Sequence, residues 1–175
     1  GYVFVKHVLI QIPEDVQKEI KALEDAGDTE AAESKQQEAL AQIQPEAQEV
    51  LRKAQAGDDF DALIAQYNDD PGMNAEPAKT DGYLVGPNSS YEENFREAAL
   101  AMSRVGEVSS ELVESAYGYH ILKLMDITTE GEVSYESAKQ ECFDLATERK
   151  RNSVYTELLE QWKQELGTKT YANRI

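Results

Sequence analysis

Positive charge is scarce in this sequence: 17 Lys and Arg stand against 34 Asp and Glu in 175 residues, a formal net charge of -17. Such a surface repels a phosphate backbone, so nucleic acid is not an expected partner. Cysteine is nearly absent. The single Cys142 has no mate for an internal disulfide, leaves the redox compartment open, and is expected as a small buried helix residue. Long apolar runs are also missing. None reaches ~18 residues, and no basic stretch leads into an apolar core, so neither a membrane span nor a signal peptide is expected within these residues. Because Gly1 leads straight into a strand, the chain reads as part of a longer parent. Only two histidines occur, and neither an HxxxH spacing nor a clustered second shell supports a zinc site.

What is present describes a globular chain. Hydrophobic residues at 41% and charged residues at 29% supply one ordinary domain with extensions and a real core. The organising stretch is Asp81 to Asp126, anchored by Tyr117-Gly118-Tyr119-His120-Ile121-Leu122-Lys123-Leu124. Its run of apolar and β-branched residues after Gly118 predicts a strand. Alternation puts His120, Leu122 and Leu124 on one face and Tyr119, Ile121 and Lys123 on the other. The other histidine, His7, lies in a second apolar run, Tyr2 to Ile10, on the face of Val3, Val5 and Leu9. If these strands pair, both imidazoles face each other in one half-buried cleft.

Helical spacing fills much of the remainder. Pro13 suits the opening of a helix carrying Val16, Ile20 and Leu23 up to Gly27. Asp28 can cap a second helix through Ala39, Leu40 and Ile43, making an acidic helical hairpin over Glu14 to Gln44. Pro45 either kinks that helix or starts another, which bears Val50, Leu51 and Ala54 and ends at Gly57. Asp58 or Asp59 can cap the next, with Phe60, Leu63, Ile64 and Tyr67 on one stripe. Asn68 to Thr80 is dense in turn formers and leaves little room for regular structure. A short strand between Gly82 and Gly86, a helix bearing Phe95, Ala98, Ala99 and Met102, and a strand over Glu111 to Ser115 lead into the anchor strand. Beyond Asp126, Ser134 can cap a long helix closed by Gly167, whose last part carries Tyr155, Leu158, Leu159, Trp162 and Leu166. That apolar stripe needs a surface to lie on. Thr170 to Ile175 can begin another strand.

Taken together, Val5-Lys6-His7-Val8-Leu9-Ile10, the run Gly57 to Pro71, Asp81-Gly82-Tyr83-Leu84, Phe95-Arg96-Glu97-Ala98-Ala99-Leu100, Gly106-Glu107-Val108-Ser109 and Gly118-Tyr119-His120-Ile121 resemble the parvulin-type peptidyl-prolyl cis/trans isomerases. The resemblance covers Tyr2 to Ile10 and Pro45 to Ile127, in order. It implies an α+β fold, a four-stranded antiparallel sheet flanked by helices. The expected organisation is an isomerase domain over 1–12 and 45–127, the hairpin 13–44 as an insertion, and 128–175 as a helical arm. It also implies that His7 and His120 are the family's central histidine pair. Asp70 stands where members carry cysteine or aspartate, Tyr117 where some carry a hydroxyl beside the second histidine, and Tyr83, Tyr91 and Phe95 line the proline pocket. Asp81 replaces the first of two adjacent glycines often found before the pocket strand. Tyr83 and Tyr91 replace aliphatic or methionine side chains, which makes the pocket more polar and tighter. No Arg and Lys cluster follows the first strand, so the phosphate site of the phospho-specific subgroup is not expected.

The implied reaction needs no cofactor, nucleophile or metal. Rotating an X-Pro bond costs roughly 18–20 kcal/mol because amide resonance is broken. A site therefore has to seat the proline ring in an apolar pocket, exclude water and bind the twisted amide better than either planar form. Phe95 is expected as the floor, Tyr83 and Tyr91 as walls, and the histidine pair as the element that tunes Asp70 toward the substrate carbonyl. The competing reading makes both histidines satisfied core residues. Expected partners are proline-containing unfolded or partly folded polypeptides, with a chaperone domain elsewhere in an extracytoplasmic, membrane-anchored parent. The alternative function is a non-catalytic client-binding module on the same fold, for which the acidic hairpin is either a solvated extension or a docking surface.

Overall fold

The computed structural model describes residues 1–128 and 135–166. Strand β1 (Tyr2–Gln11) is followed by helices α1 (Glu14–Asp25), α2 (Thr29–Ala56) and α3 (Phe60–Tyr67) and a 3₁₀ turn at Pro71–Asn74. Then come α4 (Ala78–Asp81), β2 (Tyr83–Val85), α5 (Glu93–Ala101), β3 (Val113–Ser115), β4 (Gly118–Thr128) and α6 (Tyr135–Leu166). The strands make one antiparallel sheet in the order β2-β1-β4-β3, the expected α+β architecture.

β1 and β4 are the interior strands, which is why both read as nearly continuous apolar runs. Val8, Ile10, Tyr119 and Ile121 project from one face and pack with Ala47 and Val50 of α2 and Phe60 and Leu63 of α3. Val5, Leu122 and Leu124 project from the other and pack with Val85, Phe95 and Ala99. The alternation expected for both strands therefore holds, with helices covering each face. Lys6 is buried on the α3 side, where its Nζ pairs with Asp61 at 2.8 Å.

The hairpin is tied into this core. Asp28 caps α2 by accepting from the Ala31 N–H at 3.2 Å, and the helix then runs 28 residues with Pro45 inside it. A fresh start at Pro45 does not occur. Ala39 and Leu40 are buried in the same cluster as Val8 and Ile121, so burial on the sheet carries the helix through the missing N–H. Asp59, rather than Asp58, caps α3 through the N–H groups of Asp61 and Ala62, at 2.9 and 3.3 Å. The turn-rich stretch 68–80 contains two short helical turns, since its Asp and Pro residues cap and initiate as readily as they bend.

Cys142 departs from its expected burial and is exposed. Its neighbour Phe143 is 64% exposed, as are Tyr155 at 61% and Trp162 at 50%: α6 meets the sheet domain chiefly at β2, and most of its length faces solvent. The Ser134 cap, the Gly167 stop and the strand expected over Thr170 to Ile175 lie outside the described residues. No helix among the described residues is long and apolar enough to cross a membrane.

Candidate active site

The register of β1 against β4 builds the centre of the site. His7 lies opposite Leu122 and Leu9 opposite His120, so the two histidines occupy diagonal positions on one face. Both are buried. Their Nδ1 atoms are 2.9 Å apart, and the rings stack at 5.1 Å between centroids with 19° between planes.

Asp70 comes to this pair from the loop after α3, which is laced to the β1 edge beyond the end of β2. The Asn68 side chain accepts from the Leu9 N–H at 2.9 Å and from the Asp70 N–H at 3.2 Å, and donates to the Asp70 carbonyl at 2.6 Å. Asp69 donates its N–H to the Leu9 carbonyl at 2.9 Å and accepts from the Gln11 N–H at 2.9 Å. The loop thus replaces a neighbouring strand, and Asp69 does more than turn the chain. Held this way, Asp70 Oδ2 sits 2.8 Å from His7 Nε2 and accepts from the Tyr83 hydroxyl at 2.8 Å. Its Oδ1 accepts from the Gly72 N–H at 2.8 Å.

The far end of the chain is Ser115. Its Oγ lies 2.8 Å from His120 Nε2 and accepts from the Tyr117 N–H at 3.1 Å. The hydroxyl beside the second histidine therefore belongs to Ser115, and the expectation for Tyr117 is corrected. Tyr117 lines the cleft mouth with its side chain more than half exposed, because Gly118 turns the chain so that residue 117 points outward while Ser115, still on β3, points in. Sequence reasoning missed Ser115 and Asn68, which look like an ordinary strand end and an ordinary turn former.

Electrostatics follow from this wiring. Burial of Asp70 works to raise its pKa, but hydrogen bonds from His7, Gly72 and Tyr83 outweigh it and lower it to about 2. Burial, then the nearby His7, lowers His120 to about 3 against the opposing pull of Asp70, so this imidazole is neutral at physiological pH. Burial, then Asp70, raises the Tyr83 hydroxyl far above its ordinary value, so it stays a donor. An ionised carboxylate only accepts, which places a proton on His7 Nε2. The Nδ1–Nδ1 contact holds a single proton, and His120 Nε2 pairs with the Ser115 hydroxyl, which also lies 3.3 Å from the Gly118 carbonyl. All four ring nitrogens are engaged within the protein.

Above this chain lies a cleft of about 320 Å³ lined by His7, Leu9, Asp70, Tyr83, Tyr91, Phe95 and His120, among others. Phe95 is buried and sets its edge against both imidazoles, 5.2 Å from each centroid at 80° and 72°. Tyr91 continues the wall, 5.4 Å from Tyr83 and 5.6 Å from Phe95. Gly82 carries Tyr83 into place. Its φ is +89°, and a Cβ there would meet the Val5 backbone at 2.7 Å, so only glycine lets β2 approach β1 this closely. Asp81, in place of a second glycine, simply ends α4. His7, Asp70, His120, Tyr83, Tyr91 and Phe95 thus converge, with Tyr117 at the rim. Among the described residues, no group of three or more His, Cys, Asp or Glu converges to hold a metal ion.

An apolar, ring-walled hollow thus lies over a floor whose imidazole nitrogens are all engaged. The chain belongs to the PPIC-type PPIase domain (rotamase) family, which its residues 7–126 match. It is similar to Foldase protein PrsA of Halalkalibacterium halodurans, 39% identical over 125 residues, covering 70% of this chain and 35% of the relative. Foldase protein PrsA of Geobacillus kaustophilus is 35% identical over 143 residues, covering 81% and 47%. The crystal structure of peptidylprolyl isomerase (PrsA) from Bacillus cereus covers 99% of this chain and 53% of that one, at 22% identity and a TM-score of 0.45. The chain spans less than half the length of these curated relatives.

Proposed function

We propose that this chain is the isomerase module of a longer extracytoplasmic foldase and accelerates cis/trans interconversion of X-Pro bonds in unfolded or partly folded polypeptides. The observation that carries the reading is the cleft of about 320 Å³ walled by Tyr83, Tyr91 and Phe95 over the paired His7 and His120. A proline ring seated against Phe95 loses its water. The planar amide is charge-separated and favours water, whereas the twisted amide is less so and loses less on entering the cleft. That difference lowers the barrier. The imidazoles present ring surface rather than donors, and Asp70 is a fixed negative charge beside the cleft rather than an open acceptor.

In this reading residues 13–44 are an insertion packed on the isomerase domain. Helix α6 (Tyr135–Leu166) is then part of an arm toward a chaperone domain of a membrane-anchored parent. Exchange spectroscopy on Ala-Pro peptides tests the activity: cross-peak build-up faster than the uncatalysed exchange is expected, and the effect falls in His120→Ala. Protection of a client from aggregation with no acceleration of exchange makes the chain a holding module instead.

A further inference from the structure

We propose that Tyr83 is a positioning residue: its hydroxyl, lodged over Gly72, fixes the Asp70 carboxylate and through it the direction of the histidine chain. Three observations carry this. The Tyr83 hydroxyl donates to Asp70 Oδ2 at 2.8 Å, the same oxygen that faces His7 Nε2 at 2.8 Å. The hydroxyl reaches that oxygen only because residue 72 has no side chain, since a Cβ there would overlap the hydroxyl oxygen itself. The Tyr83 ring is held besides by the His7 ring at 5.5 Å and the Tyr91 ring at 5.4 Å, so the donor does not depend on a floppy side chain.

The carboxylate is the one acceptor-only member of the chain, so its charge decides which nitrogen of His7 bears the proton. A proton on Asp70 would put a donor where His7 Nε2–H points. The relay from Asp70 through His7 and His120 to Ser115 would then reverse or break. Tyr83 supplies one of the three donors that keep Asp70 ionised although it is half-buried, the others being His7 and the Gly72 N–H. Its place in the proline pocket wall and its hold on Asp70 are thus separable roles, of the ring and of the oxygen.

The test follows the Asp70 carboxyl carbon by NMR against pH in the wild type, Tyr83→Phe and Gly72→Ala, alongside kcat/KM for an Ala-Pro peptide across the same range. Tyr83→Phe keeps the ring and removes the oxygen. Its Asp70 inflection is expected to rise by about one pH unit, the acid limb of kcat/KM to move with it, and KM to stay within about twofold. Gly72→Ala is expected to shift the inflection in the same direction, since a Cβ there meets the Tyr83 hydroxyl and also, at 3.1 Å, Asp70 Oδ1. An unmoved inflection in Tyr83→Phe overturns the proposal, even if activity falls, because the loss then belongs to the wall. Should Gly72→Ala not fold, the Tyr83→Phe titration decides alone. The titration needs no substrate, so its outcome stands whether or not the isomerase reading does.

Discussion

Asn68 grips the backbone of Leu9. Its Oδ1 accepts the Leu9 N–H at 2.9 Å while its Nδ2 donates to the Asp70 carbonyl at 2.6 Å, so one amide sutures the loop of the acid to the strand of the first histidine. Asn68→Ala leaves these groups without their partner and is expected to cost about 1–3 kcal/mol in urea denaturation. Displacing Asp70 is expected to lower kcat/KM by about ten- to hundredfold. Wild-type stability and rate together would show that the suture is idle.

The hydroxyls at 115 and 117 make a paired prediction. Ser115→Ala strips the buried His120 Nε2 of its partner at 2.8 Å and is expected to destabilise by about 1–3 kcal/mol. Tyr117→Phe removes a hydroxyl from a side chain that is 54% exposed and is expected to stay within about 0.5 kcal/mol. Thermal melts of the two variants compared with the wild type decide between them, and the reverse order would return the role to Tyr117.

Phe95 is 3% exposed and contacts both imidazoles by its edge. Phe95→Ala is expected to cost about 3–5 kcal/mol and to abolish measurable exchange of an Ala-Pro peptide. Phe95→Leu keeps most of the volume and is expected to be milder on both counts. A folded Phe95→Leu protein with an undiminished rate would remove the ring from the site.

Acid sensitivity follows from the two lowered groups. His120 falls from 6.5 to about 3 in the fold. Between those values the unfolded chain binds more protons, so stability is fully present above about pH 6.5 and is lost as the pH drops toward 3. Asp70, lowered from 3.8 to about 2, adds a loss confined to the range below about pH 4. Urea midpoints at pH 7, 5.5 and 4.5 are therefore expected to fall in that order. His120→Gln, which has nothing to titrate, is expected to flatten the series, and an equally steep series in that variant would place the sensitivity elsewhere.

The histidine pair was legible because strand alternation is rigid: His7 and His120 each interrupt an apolar face, and strands this apolar pair centrally. Helix spacing puts Phe95 on an apolar face, but that Phe95 and Tyr91 wall a pocket is implied only by the family resemblance. The position of Asp70 could be anticipated but not its three donors, because Tyr83 and Gly72 meet it only through tertiary contact. Ser115 escaped notice since one hydroxyl at a strand end looks like any other until β3 pairs with β4. Pro45 and Cys142 show the same limit from opposite sides. Packing on the sheet overrides proline's local cost in α2, while α6 leaves a residue of buried type in solvent because most of its described side chains are exposed.

The pairing of β1 with β4 brings together His7 and His120, 113 positions apart, and has a consequence for biogenesis. Closing so long a loop is slow and entropically costly, and its reward arrives only when both strands are available. A chain appearing N-terminus first therefore carries β1 without its partner until β4 emerges. Through that interval it has neither the histidine pair nor the hollow above it, and it carries five prolines and an unpaired apolar strand, the kind of segment the proposed foldase would bind.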